Sequence, residues 1–319
     1  MKVSSLNSNR AVSSVPRSPR FARKGSLLSA VTALALTALA SPAMATDYYW
    51  RATSTSDTWN TLSKWNTLPS GTGGTAPGAF SPTDRYIATN VGANVVNTET
   101  LSNGTNAVFL GGTLVLSTAG QLNLRASGTS KAVVGNFVTT GGGLITTATN
   151  GTVGLSIDSF DNQSGDTRLR ASTGPRTLDL QIGTLTGSGN FTIDSGSVAD
   201  NMIAISVTNA TNYTGNFNFA QGTINFNNDL VSGGSLTLSG TAIVTLDQSV
   251  TFSSVTISGT ALTAGFHSFS SLNSSYGNFF TDGGSGGITV ATIPEPSTYA
   301  ALFGAAALGT VVGIRRRRR

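Results

Sequence analysis

The chain has 319 residues and is rich in glycine and poor in charge, with 38 glycines and only 10% charged side chains. It contains no cysteine, which excludes disulfides and cysteine-ligated metal sites. The formal net charge of +5 comes from the basic ends, because residues 46–293 carry 8 Lys and Arg against 13 Asp and Glu, a net of −5. This distribution argues against nucleic-acid binding.

Residues 1–45 have the composition of a secretory signal peptide. Basic residues without any acid precede an apolar stretch at residues 27–40, and small residues stand at Ala43 and Ala45. This order predicts export through the Sec translocon and cleavage by signal peptidase after Ala45. A retained, uncleaved membrane anchor is the alternative.

Short runs of alternating apolar and polar residues fill the part of the chain between the two basic ends. They are bounded by Gly or Asn, residues that tolerate tight turns. The clearest runs are residues 113–117, 121–125, 222–227, 235–239 and 256–258. This pattern predicts an all-β fold, which is either a β-solenoid of stacked coils or a β-sandwich.

We favour the β-solenoid, a parallel β-helix-like fold, because stacked coils need Leu and β-branched residues inside and small or polar residues outside. A sandwich core would need more large aromatic residues than the middle of the chain offers. At ~20 to 25 residues per coil, the body would contain roughly ten coils. We expect a Trp-rich N-terminal cap and loop at residues 46–82, solenoid repeats at 83–260 and an aromatic C-terminal cap at 261–292.

The three tryptophans of the chain, Trp50, Trp59 and Trp65, lie close together in the sequence. Bulky rings can cover the open end of a first coil, and we expect this capping role. The alternative is a glycan-binding module in which these rings stack on sugars.

The sequence contains few residues or motifs that are typical of enzyme active sites. His267 is the single histidine, and the sequence has no Walker, Rossmann or His-rich motif, so we expect no cofactor and no metal. A polar stretch could still supply the carboxylates and the base of a polysaccharide lyase or glycoside hydrolase on a β-helix. Its residues are Asp158, Asp161, Asp166, Arg168 and Arg170. Because an Asx turn followed by a strand has the same composition, we expect no enzyme activity.

Residues 294–319 combine three features. Pro294 and Pro296, which flank Glu295, break any preceding helix, and residues 299–314 are apolar. As a helix, those 16 residues would reach ~24 Å, close to the ~30 Å of a bilayer core. The arginines that follow would act as a membrane stop signal on the cytoplasmic side, so the pattern predicts a C-terminal transmembrane helix and an exported body. They are Arg315, Arg316, Arg317, Arg318 and Arg319.

In order, spacing and residue type, these features resemble the PEP-CTERM sorting signal. The resemblance implies that exosortase, a membrane transpeptidase-like enzyme, processes the chain at Pro294, Glu295 and Pro296. The precursor would be anchored in the inner membrane, transiently or permanently.

Two Gly-(Thr/Ser)-Leu-x-Leu runs, at residues 112–116 and 234–238, resemble autotransporter-associated β-strand repeats. Together the resemblances imply a structural or adhesive protein of the cell surface or extracellular matrix. Its setting would be exopolysaccharide or biofilm, and exopolysaccharide is the partner that they suggest.

Overall fold

The computed structural model describes residues 44–51, 57–70, 73–89, 95–100, 104–118, 120–125, 130–147, 151–171, 176–193, 202–281 and 285–291. These residues form an all-β structure with one short α-helix, as the alternating sequence pattern predicts. The strands are β1 (Asp47–Trp50), β2 (Trp65–Asn66), β3 (Arg85–Thr89), β4 (Val95–Asn97), β5 (Ala107–Val108), β6 (Thr113–Ser117), β7 (Gly120–Leu124), β8 (Lys131–Thr140), β9 (Gly143–Thr147), β10 (Gly151–Asn162), β11 (Asp166–Arg170), β12 (Arg176–Gly187), β13 (Asn190–Ile193), β14 (Met202–Asn209), β15 (Asn216–Phe226), β16 (Leu230–Val231), β17 (Ser235–Thr245), β18 (Ser249–Phe252), β19 (Ser254–Ile257), β20 (Thr260–Ala261), β21 (Gly265–Ser268), β22 (Phe280–Thr281) and β23 (Gly287–Val290). The α-helix is α1 (Phe269–Tyr276), and 3-10 turns lie at Leu62–Lys64 and Gly277–Phe279.

Most of the strands stack in parallel on three sides of a β-solenoid, whereas β1–β2, β19–β20 and β21–β23 pair antiparallel. Side 1 contains β3, β6 and the last residues of β8, β10 and β12. Side 2 contains β4, β7, β9, β11, β13, β19 and the first residues of β15 and β17. Side 3 contains β5, the first residues of β8, β10 and β12, then β14 and the last residues of β15 and β17. Long strands such as β10 therefore continue around a corner from side 3 to side 1.

Each turn of the chain places a residue beside its counterpart in the turn before. From β3 to β19, the parallel in-register partners of neighbouring turns lie between 19 and 28 positions apart, which spans the expected coil length. The solenoid has about six turns, so the expectation of roughly ten coils was wrong. The difference arises because the residues before Arg85 form the end structure and some turns are longer than the average coil that we assumed.

A continuous column of aromatic rings, most of them in edge-to-face contact, runs through the core. Phe137, Phe160, Phe191, Phe217 and Phe252 follow one another with ring centroids 4.9 to 5.7 Å apart. All five side chains are buried. A small number of large aromatic residues is enough for this column, because each ring contacts the next one along the solenoid.

Aliphatic residues form a second buried row on side 2. Leu122, Ile145, Leu169 and Ile193 pair in register from turn to turn and are almost fully buried. Burial of each such side chain contributes about 1.5–3 kcal/mol. The alternation read from the sequence is the local cause of this row, because every second residue of a strand faces the same way.

The last turn ends in a small antiparallel addition. Strand β21 pairs with β23, and α1 follows it with Leu272 buried. The hydroxyl of Ser268 caps α1 by accepting a hydrogen bond from the backbone N–H of Ser271, at 3.3 Å. Phe279 and Phe280 are buried here, whereas the Phe266 side chain is 61% exposed.

None of the described residues forms a helix with the length and apolar character needed to cross a membrane. The predicted signal peptide up to Ala43 and the predicted transmembrane segment at residues 299–314 lie outside the described residues. Both stay predictions.

Candidate functional site

Glycines form the corner between sides 1 and 2. Gly141 and Gly142 follow β8, Gly165 follows β10, and their φ angles are +73°, +88° and +75°. A Cβ on Gly165 would lie 2.5 Å from the backbone nitrogen of Gly142, so the main chains of successive turns touch. This combination of left-handed backbone and close approach requires glycine.

A buried polar network lies directly behind this corner. The Oδ1 atom of Asn162 accepts hydrogen bonds from the hydroxyls of Thr139, at 2.7 Å, and Thr167, at 3.0 Å. The Asn162 amide also donates to the carbonyl of Asn190 at 3.3 Å. Because buried polar groups are costly unless they are bonded, this network fixes successive turns in one register.

A groove of about 400 Å³ opens on the outer surface of the same corner. Its floor consists of Gly141, Gly142, Gly143 and Gly165, and its remaining lining residues are Asp166 and Arg168. Asp166 is exposed, and its Oδ1 atom accepts a hydrogen bond from the Asn190 amide at 3.0 Å. A carboxylate and a guanidinium therefore lie on one outward row of β11 above a floor without side chains.

The structure separates the enzyme candidates of the sequence. Only Asp166 and Arg168 line the groove. The Asp161 carboxylate accepts hydrogen bonds from Gln163, at 2.7 Å, and from Thr186, at 3.2 Å. Asp158 is exposed at the bend of β10 between sides 3 and 1. Among the described residues, no three His, Cys, Asp or Glu side chains come together in a way that could hold a metal.

Sequence reasoning missed the buried polar residues at this corner. Tyr213 belongs to the same group, because its hydroxyl donates to the carbonyl of Gly189 at 2.6 Å. Burial raises the pKa of the Tyr213 phenol well above its usual range. A usable signal was the position of Thr139 and Asn162. They pair in neighbouring turns, lie at or next to the last residue of a strand, and precede the corner glycines Gly141 and Gly165 by two or three residues.

The three tryptophans are buried at the start of the solenoid, with exposed fractions of 1%, 0% and 0% for Trp50, Trp59 and Trp65. Their indole N–H groups donate to Val95 O, Glu99 Oε2 and Trp59 O, respectively. A sugar stacks on an exposed ring face, so this burial counts against the glycan-stacking interpretation of these residues.

The single histidine lies in the last turn. An Nε2 contact of 2.8 Å joins the ring of His267 to the carbonyl of Thr263. The ring is half-buried beside a cavity of about 230 Å³ that Ser271 and Tyr276 also line.

Comparison with known families identifies the other functional element. Residues 292–319 match the family described as the PEP-CTERM protein-sorting motif. The chain therefore carries this motif, and the matched residues include Pro294, Glu295 and Pro296 and the arginines from Arg315 to Arg319. The motif implies processing by exosortase and export. Curated proteins and solved structures gave no match to the chain.

Proposed function

We propose that this chain is an exported structural or adhesive protein of the cell surface or extracellular matrix, associated with exopolysaccharide or biofilm. One observation carries the proposal: the PEP-CTERM match begins at residue 292, directly after the last strand of the solenoid, which ends at Val290. The β-solenoid body and the sorting motif are thus adjacent in the chain, as expected for a folded exported domain that is followed by its sorting signal.

The outer surface of the solenoid supports contact with hydrated glycans. On side 2, Thr192, Asn218, Thr237 and Thr256 pair in register from turn to turn on one outward row. Hydroxyl and amide groups both donate and accept hydrogen bonds, as sugar hydroxyls do. A repeated row of such groups can contact a long polymer at several points, which strengthens weak single contacts.

We propose further that the body is not catalytic. The separation of Asp158 and Asp161 from the groove at Asp166 supports this part of the proposal. Its test is an assay on acidic and neutral polysaccharides with the parent chain, Asp158→Ala and Asp166→Ala. We expect no turnover from any of the three, and turnover that these changes abolish would overturn the proposal.

The sorting step is tested in a host that contains exosortase. We expect replacement of Pro294, Glu295 and Pro296 by Ala to hold the chain in the membrane fraction, while the parent chain reaches the surface or medium. Ser297→Ala with Thr298→Ala is the matched control, because it changes the neighbouring residues and leaves the motif intact. Equal release of the parent and the triple variant would contradict the proposed route.

A further inference from the structure

We infer that the glycine-floored groove at Asp166 and Arg168 binds a sugar unit that carries an acidic group, such as a uronic acid. This inference rests on the proposed function and names the site through which the body would contact an acidic exopolysaccharide. Asp166 and Arg168 are the two side chains other than glycine in the lining of the groove.

The size and shape of the groove fit a short carbohydrate segment. Its volume of about 400 Å³ lies within the usual range of ligand sites, about 300–1,000 Å³. The cavity beside His267, at about 230 Å³, falls below that range. Gly141 and Gly165 are the exposed glycines of the floor, and because they bear no side chain a sugar ring can approach their main chain directly.

The two charged residues favour a ligand that carries both hydroxyl donors and an anionic acceptor. The Oδ1 atom of Asp166 accepts a hydrogen bond from the Asn190 amide, which holds the carboxylate in place. The second carboxylate oxygen, Oδ2, is an acceptor that suits a ligand hydroxyl. Arg168 stands two residues further along β11 on the same outward row. A guanidinium donates two parallel hydrogen bonds to a carboxylate, which selects a planar anion rather than a neutral sugar.

The position of the groove allows a polymer to continue past it. Asp166 pairs in register with Asn190 of the next turn, and Arg168 pairs with Thr192. Beyond them, Thr192 pairs with Asn218 on the same outward row. A chain whose acidic unit occupies the groove would therefore pass over polar side chains along side 2.

The test measures binding by calorimetry with the full chain in detergent micelles. The probes are a trimer of galacturonate and a trimer of galactose. We expect the parent chain to bind the acidic trimer more tightly than the neutral one. We expect Arg168→Gln to weaken binding of the acidic trimer by about tenfold or more, because it removes a charge-assisted contact. The matched control is Arg170→Gln, which makes the same charge change on the same strand outside the groove and should change affinity by less than about twofold.

Asp166→Asn tests the second contact. We expect it to weaken binding of both trimers, because the carboxylate accepts sugar hydroxyls in either case, while Asp158→Asn should leave both affinities unchanged. Arg168→Lys keeps the charge and loses the bidentate geometry, so intermediate binding is expected and a folding defect of Arg168→Gln cannot mimic the result.

Absence of saturable binding by the parent chain would overturn the inference. Equal weakening by Arg168→Gln and Arg170→Gln would also overturn it, because general attraction between charges would then explain the affinity. The proposed function is tested separately, by release of the chain to the surface or medium. A chain that is exported normally but does not bind the acidic trimer would contradict the proposed binding site and leave the proposed function standing.

Discussion

At the scale of single residues, Asn162 holds the corner between sides 1 and 2 together. Its Oδ1 atom is the acceptor for the hydroxyls of Thr139 and Thr167, all within a region closed to solvent. We expect Asn162→Ala to lower the free energy of unfolding by about 1–3 kcal/mol. The buried Thr139 hydroxyl loses its acceptor and the Asn190 carbonyl loses a donor, whereas Thr167 can still donate to Thr139 Oγ1 at 2.9 Å. Urea unfolding measures this change. Asn136→Ala is the control on the same side; its amide is exposed and makes a long 3.4 Å bond, so a loss below about 0.5 kcal/mol is expected. Equal losses would contradict the role of the network.

The burial of Tyr213 predicts that the free energy of unfolding depends on pH in the alkaline range. Its pKa in the folded chain is raised by burial above the ordinary value of 10.0, whereas an unfolded tyrosine loses its proton near that value. The stability that the neutral phenol contributes is thus complete below about pH 10 and falls as the pH rises further. Urea unfolding between pH 8 and 11 should show this decline, and Tyr213→Phe should flatten it. Tyr86, whose pKa is also raised by burial, would leave part of the slope. Identical pH profiles for the parent and Tyr213→Phe would contradict the assignment.

At the scale of elements, the corners depend on glycines for two separable reasons, backbone conformation and close approach. Gly187 and Gly151 have almost the same φ, +97° and +96°. A Cβ on Gly187 would lie 2.1 Å from the carbonyl oxygen of Asn162, whereas a Cβ on Gly151 would meet nothing within 4 Å. We expect Gly151→Ala to cost about 1–2 kcal/mol for conformation alone and Gly187→Ala to cost at least about 3 kcal/mol. Thermal or urea unfolding checks both, and similar losses would show that close approach does not matter.

The strands that the sequence predicted are those with strict alternation. Residues 113–117 were predicted as a strand and form β6. The run at 235–239 is the start of β17, which extends to Thr245 because the strand turns the corner to side 3. Alternation cannot show such a bend, since neighbouring residues are both exposed there, as Asp158 and Ser159 are.

The candidate sites were less accessible to sequence reasoning. The sorting motif was recognisable because all of its features lie within one short stretch of sequence, and the family match confirms it. The groove is lined by Gly142 and Asp166, which lie in successive turns of the solenoid. These residues meet only because the two turns pair in one particular register, and no single sequence motif contains both of them. The tryptophans were expected to cap the first coil, with glycan stacking as the alternative, because their spacing in the sequence does not show whether the ring faces are buried.

At the scale of the whole molecule, contacts run mainly between neighbouring turns. Each strand of side 2 from β9 to β13 pairs with the strand one turn before and the strand one turn after. Stability in such a fold is approximately a sum over turns and their interfaces. A long, weakly charged surface can therefore be built without disulfides, which this chain lacks.

The charge of the whole molecule should change on maturation. The full chain has a sequence isoelectric point near 9.8, but its basicity resides in residues 1–45 and 294–319. If signal peptidase cleaves after Ala45 and exosortase processes the chain at Pro294 to Pro296, the released body keeps 8 Lys and Arg against 13 Asp and Glu. We therefore expect the extracellular form to focus at acidic pH, and mass spectrometry of the focused band should report both new termini. The variant with Ala at residues 294–296 should keep its arginines and focus at a higher pH than the released form. An extracellular form that still focuses near the value of the full chain would contradict removal of the two basic ends.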